Sequence, residues 1–321
     1  MTRLKTEWID HMPDGMEEYN RMLKERTGLD LSGLVMQAYG MTGGGSPGCE
    51  PPRAGSRGNG IPGGGFPGKG IDCLRKTVRV SAVPITQGLG IIGSFSESVA
   101  SIVRSMGFRA EVSQATDVEG IFRAKEAGAQ VIFLADDERF IALNTENGRV
   151  GENDRCTALG YIEAARAMAA KRGKDLGDMR VLQIGYGRVG RIAVELLTDR
   201  GISFDLYDKE PEKIAAFRET RSCLCNRVRE VEGRAGKALS KMDIRGLDDL
   251  QHFLGYDVIL DFTNEGSWIK EDMIREDALY LSPGVPLSLT PAAARLLQDN
   301  SLYDQLEVGT AMMLGEALAR P

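Results

Sequence analysis

Between Arg180 and Asp208 the chain reads as a short, mostly apolar run, a helical stripe and a second apolar run, and this alternation recurs over most of its length. Val181 to Ile184 is too short for a helix and shows no clean polar alternation, so it predicts a strand covered on both faces. Val189, Ile192, Ala193, Leu196 and Leu197 then fall at i, i+3, i+4, i+7 and i+8, one face of a helix. Phe204 to Asp208 reads as the next strand and 211–219 as a helix. YDVILDFT and ALYLSPG follow as strands, and TPAAARLLQDN as a helix.

Upstream, a helix is expected over 13–26, with Met16, Tyr19, Met22 and Leu23 apolar and Gly28 as its stop; a shorter one ends at Gly40. Strands are expected over Val78–Thr86, Phe108–Ser113 and Gln130–Ala135, with helices after GSFSES and near Asp117–Ala127. The stretch ALNTENGRVGENDRCT reads as a loop. Thr157–Lys171 is a long helix with Ala158, Ile162, Ala165 and Met168 on one face, expected to link two domains. Between Gly43 and Gly70, 17 of 28 residues are glycine or proline. Too few large apolar side chains remain to offset the entropy of ordering them, so 43–70 reads as a disordered insertion. The fold class is α/β with two domains: residues 1–155 an α/β substrate domain, and 156–321 a Rossmann-type dinucleotide-binding domain with a parallel sheet. A final helix over 309–319 is apolar enough to return to the first domain.

Composition narrows the partners. The formal net charge is −6 and the pI about 5.3, so no global charge recruits nucleic acid or an anionic membrane. The apolar runs fall short of the roughly 18 residues of a membrane span, and the polar N-terminus has no signal-peptide core. A cytoplasmic enzyme is the expectation. Five cysteines, Cys49, Cys73, Cys156, Cys223 and Cys225, include no CxxC pair, which argues against a disulfide framework and a structural metal. The two histidines, His11 and His252, are poorly placed for a proton shuttle. Acid–base work therefore falls to carboxylates, hydroxyls or water.

The chemistry centres on RVLQIGYGRVG. Gly185 allows the tight turn, Gly187 presents no Cβ to a pyrophosphate, and Gly190 lets helix and strand pack closely, with Tyr186, Arg188 and Val189 between them. Asp208 lies 21 residues beyond Gly187, near the ~20 expected of a carboxylate that binds an adenosine ribose and repels a 2′-phosphate. The expected cofactor is NAD. Thr263, Asn264 and Pro283, at the ends of later strands, are expected beside its ribose and nicotinamide. A second glycine motif, Gly88, Gly90 and Gly93, precedes Ser94 and Glu97, an S-x-x-E capping box that would occupy the helix N-terminus. This second turn suits either a small zwitterion or a plain capped helix. Asp136 and Asp137 end the Gln130–Ala135 strand, where open α/β sheets hold ligands, although a turn or N-cap pair would also account for one of them. The basic stretch within 221–246, with Arg227, Arg229, Arg234, Lys237 and Lys241, reads as a solvated helix face.

GIIGSFSES, FLADDERFIALNTENGRV followed by CTALGYIEAA, GYGRVG, LSPGVP and EVGTAMML occur in an order that closely resembles the PylD family, which performs the last step of pyrrolysine biosynthesis. RTGLD and AYG also resemble that family's opening helices. The resemblance spans nearly the whole chain except 43–70 and about 221–246; Gln87 and Leu89 depart from its pattern. It implies NAD-dependent oxidation of the terminal amine of lysine carrying 3-methylornithine on Nε, loss of ammonia, and closure of a pyrroline ring. It further implies a cytoplasmic homodimer, with Asp136 as the catalytic carboxylate and Ser94, Ser96, Asp137 and Asn144 as substrate contacts. Two other readings stay open at this point: a different amino-acid dehydrogenase or imine reductase on the same frame, and a non-catalytic NAD-binding regulatory module.

Overall fold

The computed structural model describes residues 15–42, 70–87, 94–220, 243–250 and 253–319. The glycine- and proline-rich stretch up to residue 69, the second glycine motif with Leu89, most of the basic stretch, both histidines, Cys49, Cys223 and Cys225 lie outside these residues. The chain divides into two compact units, one of residues 1–24, 29–156 and 306–321, the other of 25–28 and 157–305.

In the first unit, α1 (Met16–Thr27) leads to α2 (Leu31–Tyr39), which Asp30 caps by accepting from the Gly33 amide at 2.7 Å. A helix absent from the sequence reading, α3 (Ile71–Thr77), then enters β1 (Arg79–Val83). There follow α4 (Phe95–Ser105), β2 (Arg109–Val112), α5 (Asp117–Glu126), β3 (Val131–Ala135), β4 (Phe140–Asn144) and β5 (Val150–Glu152). The sheet order is β2-β1-β3-β4-β5. β1 pairs in parallel with β2 and β3, whereas β4 is antiparallel to both β3 and β5. The segment expected as a loop therefore contains most of β4, the whole of β5 and the turn between them. Its signal was Asn147-Gly148, a dipeptide that favours hairpin turns, and Gly148 has φ +73. The C-terminal helix, Glu307–Leu318, is buried on nearly every side and packs on α2, α4, β4 and β5. A helix apolar all round can be stable only when enclosed in this way.

The unit boundary falls inside α6 (Asn153–Lys171), which starts four residues before its expected position. The second unit continues with β6 (Val181–Ile184), α7 (Arg188–Asp199), β7 (Phe204–Tyr207), helical residues 211–220 as α8, β8 (Ile244–Gly246), β9 (Val258–Asp261), β10 (Leu279–Ser282), α9 (Pro291–Leu296) and β11 (Ser301–Tyr303). Every strand pair is parallel and the order is β11-β10-β9-β6-β7-β8. Renumbered from β6, this is the 3-2-1-4-5-6 order of the doubly wound dinucleotide-binding sheet. The order reverses between β6 and β9, which opens a crevice at the carboxyl end of β6. The core is built from Leu182, Ile184, Ile259, Phe253 and Tyr280 with their neighbours, all withdrawn from solvent.

Candidate functional site

The second unit holds a cradle at the end of β6. Gly185 has φ +95, and a Cβ there would lie 2.8 Å from the Phe262 carbonyl oxygen. A Cβ on Gly190 would lie 2.2 Å from the Gly185 carbonyl oxygen, whereas a Cβ on Gly187 would meet nothing within 4 Å. Two of the three glycines thus serve close packing, and the third leaves open space over the N-terminus of α7. This is the arrangement a pyrophosphate needs: backbone without a side chain in front of it, at the positive end of a helix. The residues present fit a dinucleotide.

Asp208, one residue past β7, is buried, and its Oδ2 accepts the Tyr186 amide at 2.7 Å. Its Oδ1 accepts from the Glu210 amide at 3.0 Å, and Lys213 Nζ lies 3.7 Å from Oδ2. The carboxylate expected to meet a ribose also ties the glycine turn to β7. The Tyr186 side chain faces inward, its ring edge-on to Phe217 at 5.5 Å with the Arg191 guanidinium 5.2 Å over it. Burial raises its phenol pKa. Tyr186 thus serves the turn's packing rather than presenting its ring to the cradle, while Arg188 is exposed and Val189 half-buried.

Along the rest of the edge, the Thr263 hydroxyl donates to Asp261 Oδ1 at 2.7 Å and lies 3.2 Å from Ser288 Oγ. Asn264 is exposed and Pro283 half-buried. The backbones after β9 and β10 touch, since a Cβ on Gly284 would sit 1.8 Å from the Thr263 carbonyl oxygen. Two supports escaped the sequence reading. Asp261, fully buried, accepts from Thr263 and, at 2.6 Å, from the Tyr280 hydroxyl, whose pKa burial and the Asp261 charge push well up. Gln183, also fully buried, donates from Nε2 to the carbonyls of Gly185 at 3.0 Å and Gly190 at 2.8 Å, holding both ends of the turn. Its signal was a polar residue inside an otherwise apolar parallel strand.

The first unit gathers part of the expected substrate site. Phe95, between Ser94 and Ser96 at the start of α4, meets Phe140 edge-on with ring centroids 5.1 Å apart; Phe140 also contacts Phe133 at 6.0 Å. These rings bring the start of α4 beside the turn that joins β3 to β4. Asp136 opens that turn. Its amide donates to the Arg139 carbonyl at 2.8 Å, and its Oδ1 accepts from the amides of Glu138 at 2.8 Å and Arg139 at 2.7 Å. The Arg139 amide above all, then that of Glu138, lowers the Asp136 pKa below the ordinary carboxylate range. Asp136 and Asp137 are exposed. Asp136 therefore has the turn role that the sequence also allowed, with Oδ2 outside the turn's hydrogen bonds. Arg139 forms an ion pair with Glu152.

Two expectations are corrected here. The capping box does not form: Ser94, at φ −90 and ψ 15, makes no side-chain cap bond, and Glu97 pairs with Arg104 instead. A hydroxyl caps a helix from extended backbone, which this residue does not adopt. Asn144 is not brought to the Asp136 turn. It ends β4 opposite Val131, is buried, accepts from the Glu146 amide at 2.9 Å, and donates to the Ala317 carbonyl at 2.9 Å. Its polar atoms hold the β4–β5 turn against the C-terminal helix, at the far end of β4 from Asp136.

Among the described residues no group of three or more His, Cys, Asp or Glu side chains could hold a metal ion, and no helix is long and apolar enough to cross a membrane. Residues 9–151 match the family model for the N-terminal domain of the pyrrolysine biosynthesis protein PylD. The chain is 28% identical over 309 residues to the pyrrolysine synthase of Methanosarcina acetivorans, covering 94% of this chain and 96% of the relative. It is 29% identical over 303 residues to that of Methanosarcina barkeri, covering 94% and 93%. A crystal structure of shikimate dehydrogenase in complex with NADP+ aligns with 76% of this chain and 91% of its own, at 14% identity and a TM-score of 0.44. The strands and turns that carry Asp136 fall within the matched N-terminal domain, and the likeness to two pyrrolysine synthases runs over nearly the whole chain, through the glycine turn: the chain is similar to the PylD family of pyrrolysine biosynthesis proteins.

Proposed function

We propose that this protein catalyses the NAD-dependent oxidation of the terminal amine of L-lysine-Nε-3-methylornithine and the ring closure that yields pyrrolysine. The observation that carries the reading is the cradle at Gly187, open above the α7 N-terminus and braced by Gln183 and Asp208. Bound there, NAD supplies a hydride acceptor. The hydride leaves the carbon that bears the primary amine, and the nitrogen lone pair completes an iminium. Water adds to it, ammonia departs, and the aldehyde condenses with the ornithine α-amine, losing water as the pyrroline ring closes.

Asp136 is the protein group assigned to the reacting amine. Held ionised by two backbone N–H groups, it suits a cation better than it suits proton abstraction. It would accept a hydrogen bond from the neutral substrate amine, stabilise the iminium charge as it develops, and orient the attacking water. Ser94, Ser96 and Asp137 are the further substrate contacts in this reading, supported by the Phe95–Phe140 contact that gathers the two serines near Asp136. Arg188, Val189, Asn264 and Pro283 line the cofactor edge, and Asp208 favours NAD over NADP. The working form is a cytoplasmic homodimer.

Mass spectrometry of the product formed from the synthetic precursor and NAD tests the proposal. Pyrrolysine with one NADH and one ammonia per turnover is expected. NADH formation from simple amino acids but not from the precursor would overturn the substrate assignment.

A further inference from the structure

The sheet order places β6 between β7 and β9, so the loops after β7 and β9 flank the glycine turn on its two sides. Lys209 is the second residue past β7, and Glu265 the fourth past β9. The two form an ion pair, which must therefore run across the mouth of the turn rather than along one side of it. Their side chains are 58% and 46% exposed, and a pair so exposed adds little to stability. The neighbouring Lys213 is engaged elsewhere, with Glu210 at 2.7 Å and Asp208 at 3.7 Å. A cation and an anion thus meet between the two loops that flank the glycine turn.

We propose that Lys209 is a ligand of the dinucleotide pyrophosphate and that Glu265 competes with the pyrophosphate for it. This rests on the dinucleotide reading of the turn. The Lys209 ammonium is a compact charge on a flexible stem, suited to exchanging one anion for another. Glu265 opposes binding twice, by holding that cation and by repelling the incoming phosphates. Because NADH and NADPH share the pyrophosphate, Glu265 should affect both alike.

The test is titration of the full-length protein with NADH and with NADPH, followed by fluorescence or calorimetry, for wild type, Glu265→Gln, Lys209→Met, Lys209→Arg and the Glu265→Gln/Lys209→Met double variant. Glu265→Gln should bind both dinucleotides about two- to fivefold more tightly, the scale of an exposed ion pair. Lys209→Met should weaken both by roughly three- to tenfold, as when a charge-assisted contact to phosphate is lost, and Lys209→Arg should retain most of the affinity. In the double variant the gain from Glu265→Gln should vanish. The proposal is overturned if Glu265→Gln leaves affinity unchanged or lowers it, if its gain survives without Lys209, or if the gain is confined to NADPH. A wild type that binds neither dinucleotide would overturn the reading of the turn itself.

Discussion

The Tyr186 amide donates to Oδ2 of Asp208 at 2.7 Å, so the carboxylate at the end of β7 clamps the glycine turn beside it. On the proposed reading Asp208 has two separable roles, bracing the turn and discriminating between dinucleotides. Wild type should bind NADH more tightly than NADPH. Asp208→Asn, which keeps an acceptor for the amide but removes the charge, should narrow that preference with little change in Tm. Asp208→Ala should also destabilise the protein by about 1–3 kcal/mol, the cost of a buried donor without a partner. Equal wild-type Kd values for the two dinucleotides would remove Asp208 as the discriminator.

Asp136 predicts a particular pH profile. Its carboxyl is held below the ordinary range chiefly by the Arg139 amide and then by that of Glu138. A depressed carboxylate stays ionised above its folded pKa, and its contribution is lost only as pH falls through that value. Turnover that declines between neutral pH and about 5 should therefore follow protonation of the substrate amine, since Asp136 is still charged there. The amine limb should persist in any residual activity of Asp136→Asn, while turnover falls by about 10² to 10⁴ and NADH affinity stays within a few-fold. Retention of more than about a tenth of wild-type turnover, well outside that range, would remove Asp136 from the chemistry.

Gln183 offers a test of how the cradle is braced. Gln183→Met keeps volume but removes both donors, from Nε2 to the carbonyls of Gly185 and Gly190. Oε1 is buried without a hydrogen-bond partner, so replacing the whole amide removes one unpaired atom while the Gly185 and Gly190 carbonyls lose the donor they share. The expected loss is about 1–2 kcal/mol, with weaker NADH binding beyond what the Tm change alone implies. An unchanged dinucleotide Kd would show that the turn keeps its shape without this brace.

Cys156 should be inert. Burial, with the Glu316 charge adding to it, pushes its thiol up to about 12. At pH 8 only about one in 10⁴ molecules would carry the reactive thiolate there. Iodoacetamide at that pH should leave the Cys156 peptide unmodified in the folded protein and label it fully in denaturant, as read by peptide mass spectrometry. Rapid labelling of Cys156 in the folded protein would contradict its burial.

Local pattern was enough for the elements whose burial is uniform. Val181–Ile184 and Val131–Ala135 are short apolar runs, α7 carries a helical stripe, and Gly185, Gly187 and Gly190 state a turn in which each absent Cβ has a purpose; backbone sterics and covering on both faces act within a few residues, so the sequence shows them directly. β4, β5, β8 and β11 were not legible, because three- to five-residue strands acquire their identity from the neighbour they pair with. The site divided in the same way. The aspartates at the end of β3 could be named from sequence, but only the antiparallel pairing of β3 with β4 made Asp136 the head of a hairpin turn and sent Asn144 to the opposite end of the strand. Ser94 and Glu97 spelled a capping box, yet the backbone angle at Ser94 and the reach of Arg104 decided otherwise. The sequence by itself determined where the chain turns and which residues could carry charge to those turns. The tertiary structure alone decided what each charge meets, since the partners of Asp208, Gln183 and Glu265 come from strand order and loop position, which no local run of residues contains.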